Sequence, residues 1–353
     1  MTTPGCRGSQ RRVGRSHLLR TVGILATIVL GLAIFGADSL FAAQSQPITA
    51  FSIVARDSLT GEIGVAVQSH WFSVGPLVPW AEAGVGAVAT QSFVEPAFGA
   101  AGLALMQSGR SAPDALRRLL ISDPGAETRQ VAMIDARGRV GVFTGGRSIP
   151  FAGHRAGAQY SVQANFMDRP GVWTAMARAY ESASGDLADR MLAALAAADR
   201  QDGETRGHES AAIVIVGPRA TGRPWEDRIV DLRVEDHEDA LGELRRLVGL
   251  SKAYRALMEG DQRLARGQLT SAMREYADAT SRVPDSATNG EIAFWAGVRL
   301  VAAGQVSAGV VYLQRAQEAD DGWIDVLRRL PSSGVLPSNA ALIERLERAM
   351  TDR

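Results

Sequence analysis

Polar side chains stand at the ends of several predicted strands, and their chemical types are those used to bind polar substrates. They are Gln68, Ser69, Thr90, Gln91 and Asn165. Strand ends meet at one rim of a two-sheet fold, so we expect these five side chains to share a substrate-binding cleft. His154, together with a carboxylate and a hydroxyl, would suffice there for general acid–base catalysis.

A structural interpretation of each residue also stays open. Gln68 and Thr90 are suited to satisfying backbone groups at strand ends, because short polar side chains and amides bond readily to nearby backbone. His154 is placed to cap a turn beside Gly153. The residue types alone do not decide between a cleft and a set of strand-end hydrogen bonds.

The sequence predicts no metal ion and no cofactor. It contains 5 His and 1 Cys, without an HExxH motif or a close pair of histidines, so the usual ligand spacings of a zinc site are missing. It also lacks a Walker loop, a GxSxG elbow and a GxGxxG turn after a strand. With 38 basic and 38 acidic residues, the formal net charge is +0, which argues against a nucleic-acid partner.

The strands that must position these residues begin with an apolar run at residues 51–55. A turn at residues 57–62 and a second apolar run at residues 63–67 follow, which predicts a buried hairpin. A third run, residues 84–90, is rich in small side chains and predicts a strand packed closely on both faces.

The rest of this region alternates between strand and helix patterns. Further strands are predicted at residues 130–135, 140–144, 159–163, 210–216 and 228–234. Helices are predicted at residues 96–109, 112–121, 170–183, 187–198 and 240–249, with Ser111 as an N-cap ahead of Pro113. This order predicts an α+β fold in which two sheets are covered by helical layers.

From residue 251 the pattern becomes all-helical. Gly267, Ala272, Tyr276, Ala279 and Pro284 fall at the offsets of a tetratricopeptide repeat, and a second set begins at residue 304. We expect a tetratricopeptide-like domain at residues 251–350, with two repeats and a capping helix at residues 339–350. Such a domain either presents a docking surface to a protein partner or serves as a packing appendage, and the sequence leaves both open.

The N-terminus has the composition of an export signal. Arginines, including Arg11, Arg12 and Arg20, precede an uncharged apolar run at residues 21–37, and small residues follow at Ala42 and Ala43. Residues 1–45 are therefore predicted to be a cleaved signal peptide or an uncleaved membrane anchor. The positive-inside rule then places the remaining chain in the periplasm or another extracytoplasmic space.

Residues 50–249 resemble the bacterial and archaeal family called domain of unknown function 1028. The resemblance rests on ordered motifs, namely FSIVARD, TGE, GVAVQS, VPWAEAGVGAVATQS, RQVAMID, RGRV, FTG, AGHR, YSVQAN and DLRVEDH. It implies a four-layer αββα sandwich of the N-terminal nucleophile (Ntn) hydrolase type. Ntn hydrolases use the side chain of the first mature residue as nucleophile and its free α-amino group as base.

This resemblance points to Thr49 or Ser52 as the nucleophile, with His154 in the cleft. In the family a threonine often precedes FSIVA, whereas this chain has Ala50 at that position. The sequence thus leaves two functions open. One is an exported amide-bond hydrolase acting on an unknown small molecule or peptide. The other is an inactive Ntn-type module that binds a ligand or protein, with the helical domain as docking surface. The mature N-terminus discriminates between them.

Overall fold

Two antiparallel β-sheets pack face to face at the centre of the first part of the chain. The computed structural model describes residues 1, 2, 5, 47–201 and 209–351. Apart from residues 1, 2 and 5, the predicted export segment lies outside the described residues. No helix in these described ranges is long and apolar enough to cross a membrane.

One sheet has six strands in the order β11-β10-β3-β2-β9-β8, and the other has five, in the order β1-β5-β6-β7 with β4 also paired to β5. All pairs are antiparallel. The strands are β1 (Pro47–Ile48), β2 (Ala50–Arg56), β3 (Ile63–Ser69), β4 (Pro79–Glu82), β5 (Gly86–Phe93), β6 (Arg129–Asp135), β7 (Val140–Thr144), β8 (Gly153–Gly157), β9 (Tyr160–Ala164), β10 (Ser210–Val216) and β11 (Arg228–Val234).

Helices cover the outer face of each sheet and then continue to the C-terminus. They are α1 (Ala97–Gln107), α2 (Ala112–Ser122), α3 (Val172–Ser182), α4 (Leu187–Asp199), α5 (Pro224–Asp227), α6 (Ala240–Ala265), α7 (Leu269–Arg282), α8 (Glu291–Ala302), α9 (Val306–Ala319), α10 (Trp323–Arg329) and α11 (Ala340–Thr351). Helices α1 and α2 pack on the five-stranded sheet, and α3, α4 and the start of α6 pack on the six-stranded sheet.

Period-two alternation along the strands separates the cores. In β2, Phe51 and Ile53 face the helices, whereas Ala50 and Val54 face the other sheet. The prediction of an α+β fold with antiparallel sheets and a helical C-terminal region is therefore confirmed. The assignment to the Ntn type and to tetratricopeptide-like repeats stays a prediction.

Most predicted elements agree with the observed bounds within a few residues. The Ser111 cap is confirmed, since its hydroxyl accepts a hydrogen bond from the Asp114 N–H at 3.2 Å. Strands β1, β4 and β8 were not predicted. The closing helix, predicted to end at residue 249, continues to Ala265.

Helix α6 runs without interruption from the two-sheet core into the C-terminal helices. Leu244 and Val248 belong to the core beneath the six-stranded sheet, whereas Ala253 and Leu257 belong to the core shared with α7 and α8. The predicted boundary near residue 250 thus falls inside one continuous helix.

The C-terminal region contains two helix hairpins, formed by the end of α6 with α7 and by α8 with α9. Gly297 and Gly309 allow the second pair to approach closely, because a Cβ at Gly297 would lie 2.8 Å from the Gly309 carbonyl oxygen. Phe294 stacks on Trp323 with ring centroids 4.3 Å apart and joins α10 to this pair.

Candidate functional site

A row of polar side chains lies on the inner face of each sheet. In the five-stranded sheet, the register places Gln91 opposite Gln130 and Gln130 opposite Thr144. In the six-stranded sheet it places Ser52 opposite Gln163. Directly opposite residues share one face of a sheet, so each set forms a continuous row. Apart from Thr144, the residues of both rows are fully buried.

Hydrogen bonds join the two rows across the inter-sheet layer. The Ser52 hydroxyl donates to Gln91 Oε1 at 2.6 Å and accepts from Gln163 Nε2 at 2.6 Å. Gln91 Nε2 donates to Gln130 Oε1 at 2.7 Å, and the Ser161 hydroxyl donates to Gln163 Oε1 at 3.1 Å. Each amide therefore uses both its oxygen and its nitrogen, as buried polar groups must.

Gln130 makes the largest number of these contacts. Its Nε2 carries two hydrogens, which three acceptors share: Thr144 Oγ1 and the Ala164 carbonyl, both at 2.9 Å, and the Gly153 carbonyl at 3.1 Å. Its Oε1 also accepts from Asn165 Nδ2 at 3.1 Å. This one side chain thus connects β6 to β7, β8 and β9. We call Ser52, Gln91, Gln130, Thr144, Ser161, Gln163 and Asn165 the polar cluster.

His154 lies at the exposed end of the polar cluster. Its Nδ1 is 2.8 Å from Thr144 Oγ1, which already accepts from Gln130. The Thr144 hydroxyl proton is therefore available to His154 Nδ1, which favours the tautomer protonated on Nε2. Partial desolvation of the ring lowers the pKa of His154 below its ordinary value and favours this neutral form. Thr144, Gln130 and Gln91 separate the imidazole from Ser52.

The start of β2 is held by the same residues. The Ala50 carbonyl accepts from Gln91 Nε2 at 3.1 Å, from Asn165 Nδ2 at 3.3 Å and from the Asn165 N–H at 3.2 Å. The Thr49 carbonyl accepts from the Ser69 hydroxyl. Thr49 is fully buried, and Ile48 ahead of it is 1% exposed and pairs with Ser92 of β5. The chain therefore enters β2 through a buried segment whose carbonyls at residues 49 and 50 are hydrogen-bonded.

The hydrogen bonds of Ser52 define what its hydroxyl can do. Its two partners are amides, which do not accept a proton near neutral pH, so no general base contacts this hydroxyl. Phe51 and Ser52 also lie inside the ladder that pairs β2 with β3 and β9. A free amine at Ser52 would require breaking β2 within this ladder.

The five predicted substrate-binding residues separate into three places. Gln91 and Asn165 belong to the polar cluster, and Ser69 lies next to it at the Thr49 carbonyl. Gln68 and Thr90 do not join them, because the strand alternation turns both toward the helical layers. The Thr90 hydroxyl donates to the Glu95 carbonyl at 3.2 Å. The buried Oε1 of Gln68 has no hydrogen-bond partner among the described residues.

Sequence reasoning missed four members of the polar cluster, Gln130, Thr144, Ser161 and Gln163. A signal for three of them was present. Gln130 alternates with Ala132 and Ile134 on one face of β6, and Ser161 and Gln163 alternate with apolar residues along β9. A glutamine within a fully buried strand requires buried partners, and these glutamines therefore indicated a polar network.

The described part of the chain contains no group of three or more His, Cys, Asp or Glu side chains that could hold a metal ion. The residues of the polar cluster are neutral amides and hydroxyls, which are weak ligands for transition metals. Its members hydrogen-bond to one another and to backbone carbonyl groups.

The fold and the polar cluster define a class of protein, an α+β domain of two facing antiparallel sheets whose inner faces carry a buried amide and hydroxyl network. A family model described as "Family of unknown function (DUF1028)" matches residues 50–244, and the chain belongs to this family. The crystal structure of protein SPO2555 from Silicibacter pomeroyi, also described as DUF1028, is similar. Sequence identity is 30%, the match covers 57% of this chain and 84% of that chain, and the TM-score is 0.52. No functionally curated protein matches the chain.

Proposed function

We propose that this protein is an exported module of the Ntn-hydrolase type that binds a ligand and does not cleave amide bonds. The observation that carries the proposal is the start of β2. Position 50 is alanine, and the nearby Ser52 hydroxyl is bonded to two amides. A serine that is neither terminal nor in contact with a base is not an activated nucleophile.

The Ntn part of the proposal is supported by the layer order. Two antiparallel sheets face each other, and helices lie on both outer faces, as the resemblance of residues 50–249 implies. Fold alone does not define activity, so the argument about catalysis must rest on the site.

The burial of residues 48 and 49 supports the absence of proteolytic processing before Thr49. To expose Thr49 as the first residue, a peptidase would have to cut between Ile48 and Thr49, both of which are essentially inaccessible to solvent. A signal peptidase cut near Ala43 would leave β1 paired with β5. The α-amino group would then lie several residues away from Ala50 and could not serve as a base for Ser52.

Export rests on the arginine-rich segment followed by the apolar run at residues 21–37. Docking of a protein partner by the C-terminal helices also stays a proposal. It would be tested first at the groove between α7 and α9, which has a volume of about 520 Å³ and exposes Met273 and Val311.

The test is the N-terminal sequence of the protein purified from the native envelope fraction, combined with an assay for amide turnover. We expect a start before Pro47 and no turnover. A start at Thr49 or Ser52, or turnover that Ser52→Ala abolishes and the exposed Ser58→Ala retains, would overturn the proposal. Ala50→Thr restores a hydroxyl where the family often has one. Self-cleavage of that variant would show that the wild-type site lacks only a hydroxyl at position 50.

A further inference from the structure

A cleft opens at the edge of the two-sheet core, on the side away from β7 and β8. It lies between α1, residues 75–82 and strands β10 and β11, and its volume is about 440 Å³. Val214 in its wall belongs to the inter-sheet core, so the cleft reaches the edge of the layer between the sheets. A volume of this size is typical of sites for small organic ligands.

One wall of the cleft is a fixed aromatic surface. Trp80 Nε1 donates to the Leu77 carbonyl at 3.0 Å, which satisfies its polar atom and orients the ring. The indole lies against Gly99 of α1, where a Cβ would be only 2.3 Å from indole Cγ. Leu103 and Val214, which are 8% and 5% exposed, extend this apolar surface. A flat apolar body can therefore pack here without rearrangement of the wall.

Strand β11 contributes positive charge to the lining of the cleft. Arg228 and Arg233 both pair with Asp231, and the distance from Arg233 Nε to Asp231 Oδ1 is 3.7 Å. Two guanidinium groups share one carboxylate, which leaves one positive charge in excess. The Arg233 side chain packs over Gly75, where a Cβ would be 2.7 Å from Arg233 Cδ. The stem of Arg233 therefore packs against residue 75, and Arg233 lines the cleft.

Acidic groups limit the charge that a ligand can carry. Glu82 lies in the cleft wall and accepts from Gln107 Nε2 at 3.1 Å. Its carboxylate is bonded to Gln107 and adds a negative charge to another part of the lining, so a second acidic group on the ligand would meet repulsion. A single carboxylate suits the planar donors of an arginine better than a dianion would.

We propose that this cleft binds a small aromatic monocarboxylic acid, with its ring against Trp80 and its carboxylate at Arg233. This inference deepens the proposed function by naming the ligand class. It rests on that proposal in one respect, since the cleft is taken to hold the ligand without cutting it. The cleft shares no residue with the polar cluster.

The test is calorimetric titration of the full-length protein with indole-3-propionate and with its uncharged amide, indole-3-propionamide. We expect saturable binding of the acid and roughly tenfold weaker binding of the amide. Arg233→Gln should weaken the binding of the acid by about tenfold, because it removes the charge-assisted hydrogen bond to the carboxylate. The affinity for the amide should not change. Arg178→Gln, at an exposed arginine of α3, is the matched control and should behave as wild type.

Trp80→Ala should weaken the binding of both ligands. If this variant does not fold, Trp80→Phe, which keeps a ring on Gly99, replaces it and should retain part of the affinity. No binding of the acid, equal affinity for acid and amide, or equal affinities of the Arg233→Gln and Arg178→Gln variants would overturn the inference. The same amide reports on the proposed function. Conversion of the amide to the acid is monitored by chromatography. Such conversion would refute the proposal that the protein does not cleave amide bonds, whereas binding of the acid would stand as a separate result.

Discussion

The polar cluster and the edge cleft differ in how their polar groups are used. The Ser52 and Gln130 side chains are fully buried and satisfied by other protein groups. The arginines of the cleft are partly exposed, and two of them share one carboxylate. The buried polar residues therefore stabilise the fold. The incompletely neutralised arginines at the edge are instead suited to binding a ligand. Changes in the first should alter stability, and changes in the second should alter binding.

The largest effect is expected for Gln130→Leu. The substitution removes a side chain with hydrogen-bond contacts to five groups and leaves the Ala164 and Gly153 carbonyls and Asn165 without this partner. Each buried group left unsatisfied costs about 1–3 kcal/mol, so we expect a loss of about 4 kcal/mol in the free energy of unfolding. Urea denaturation measures it. A loss below about 1 kcal/mol would contradict the assignment of the cluster to stability.

For Ser52→Ala we expect a smaller loss, about 2 kcal/mol, in the free energy of unfolding. The substitution leaves Gln91 Oε1 and Gln163 Nε2 without their Ser52 partner. Affinity of the folded variant for indole-3-propionate should equal that of wild type. A stable variant with altered binding would instead make Ser52 part of a ligand site and would remove the contrast with the cleft.

Gln68→Leu is the matched control, because Gln68 is also a buried strand glutamine. Its Oε1 has no partner among the described residues, so the change removes an unsatisfied group. We expect the free energy of unfolding to stay the same or to rise by up to about 1 kcal/mol. If Gln68→Leu destabilised the protein as strongly as Gln130→Leu, glutamine burial itself, and not the cluster, would explain both results.

The smallest effect concerns pH. The folded-state pKa of His154 is lowered, so the unfolded chain binds a proton more readily. The corresponding stability is present above the unfolded pKa of about 6.5 and is lost as pH falls through the lowered folded-state pKa. Between about pH 7 and about pH 5, the wild type should lose slightly more stability than His154→Gln does. Urea midpoints across this range measure the difference, and parallel curves would exclude a lowered pKa of His154 in the folded state.

The sequence predicted the strands whose apolar residues fill a core, because burial leaves a period in the residue types. It did not predict β4 and β8, which lie at sheet edges. Strand β4 begins with a proline, and β8 reads GHRAG with mostly exposed residues, so neither has an apolar alternation. It ended α6 at Gly249, whose residue type is common at helix C-termini. Gly260 in the same helix instead makes room for the Tyr276 ring, since a Cβ at Gly260 would lie 2.4 Å from Tyr276 Cε1.

Part of the site was predictable in the same way. The strand ends carrying Gln91 and Asn165 were recognised, but the sequence did not say which face of each strand meets the other sheet. Gln68 and Thr90 were therefore grouped with them, although alternation turns both outward. The cleft is formed by side chains from residues 75–82, α1, β10 and β11, which are far apart in the sequence. No local pattern marks such a site, since tertiary packing alone brings its residues together.

The uninterrupted helix α6 has a consequence for evolution as well as for mechanics. A helix turns by about 100° and rises by about 1.5 Å per residue, so one inserted residue between Val248 and Ala253 would rotate the C-terminal hairpins by that angle relative to the sheets. Flexible linkers absorb insertions, whereas this junction would convert each one into a change of orientation. The number of residues at this position therefore sets the orientation of the C-terminal hairpins relative to the sheets. Related chains that keep both parts should also keep the residue count between them.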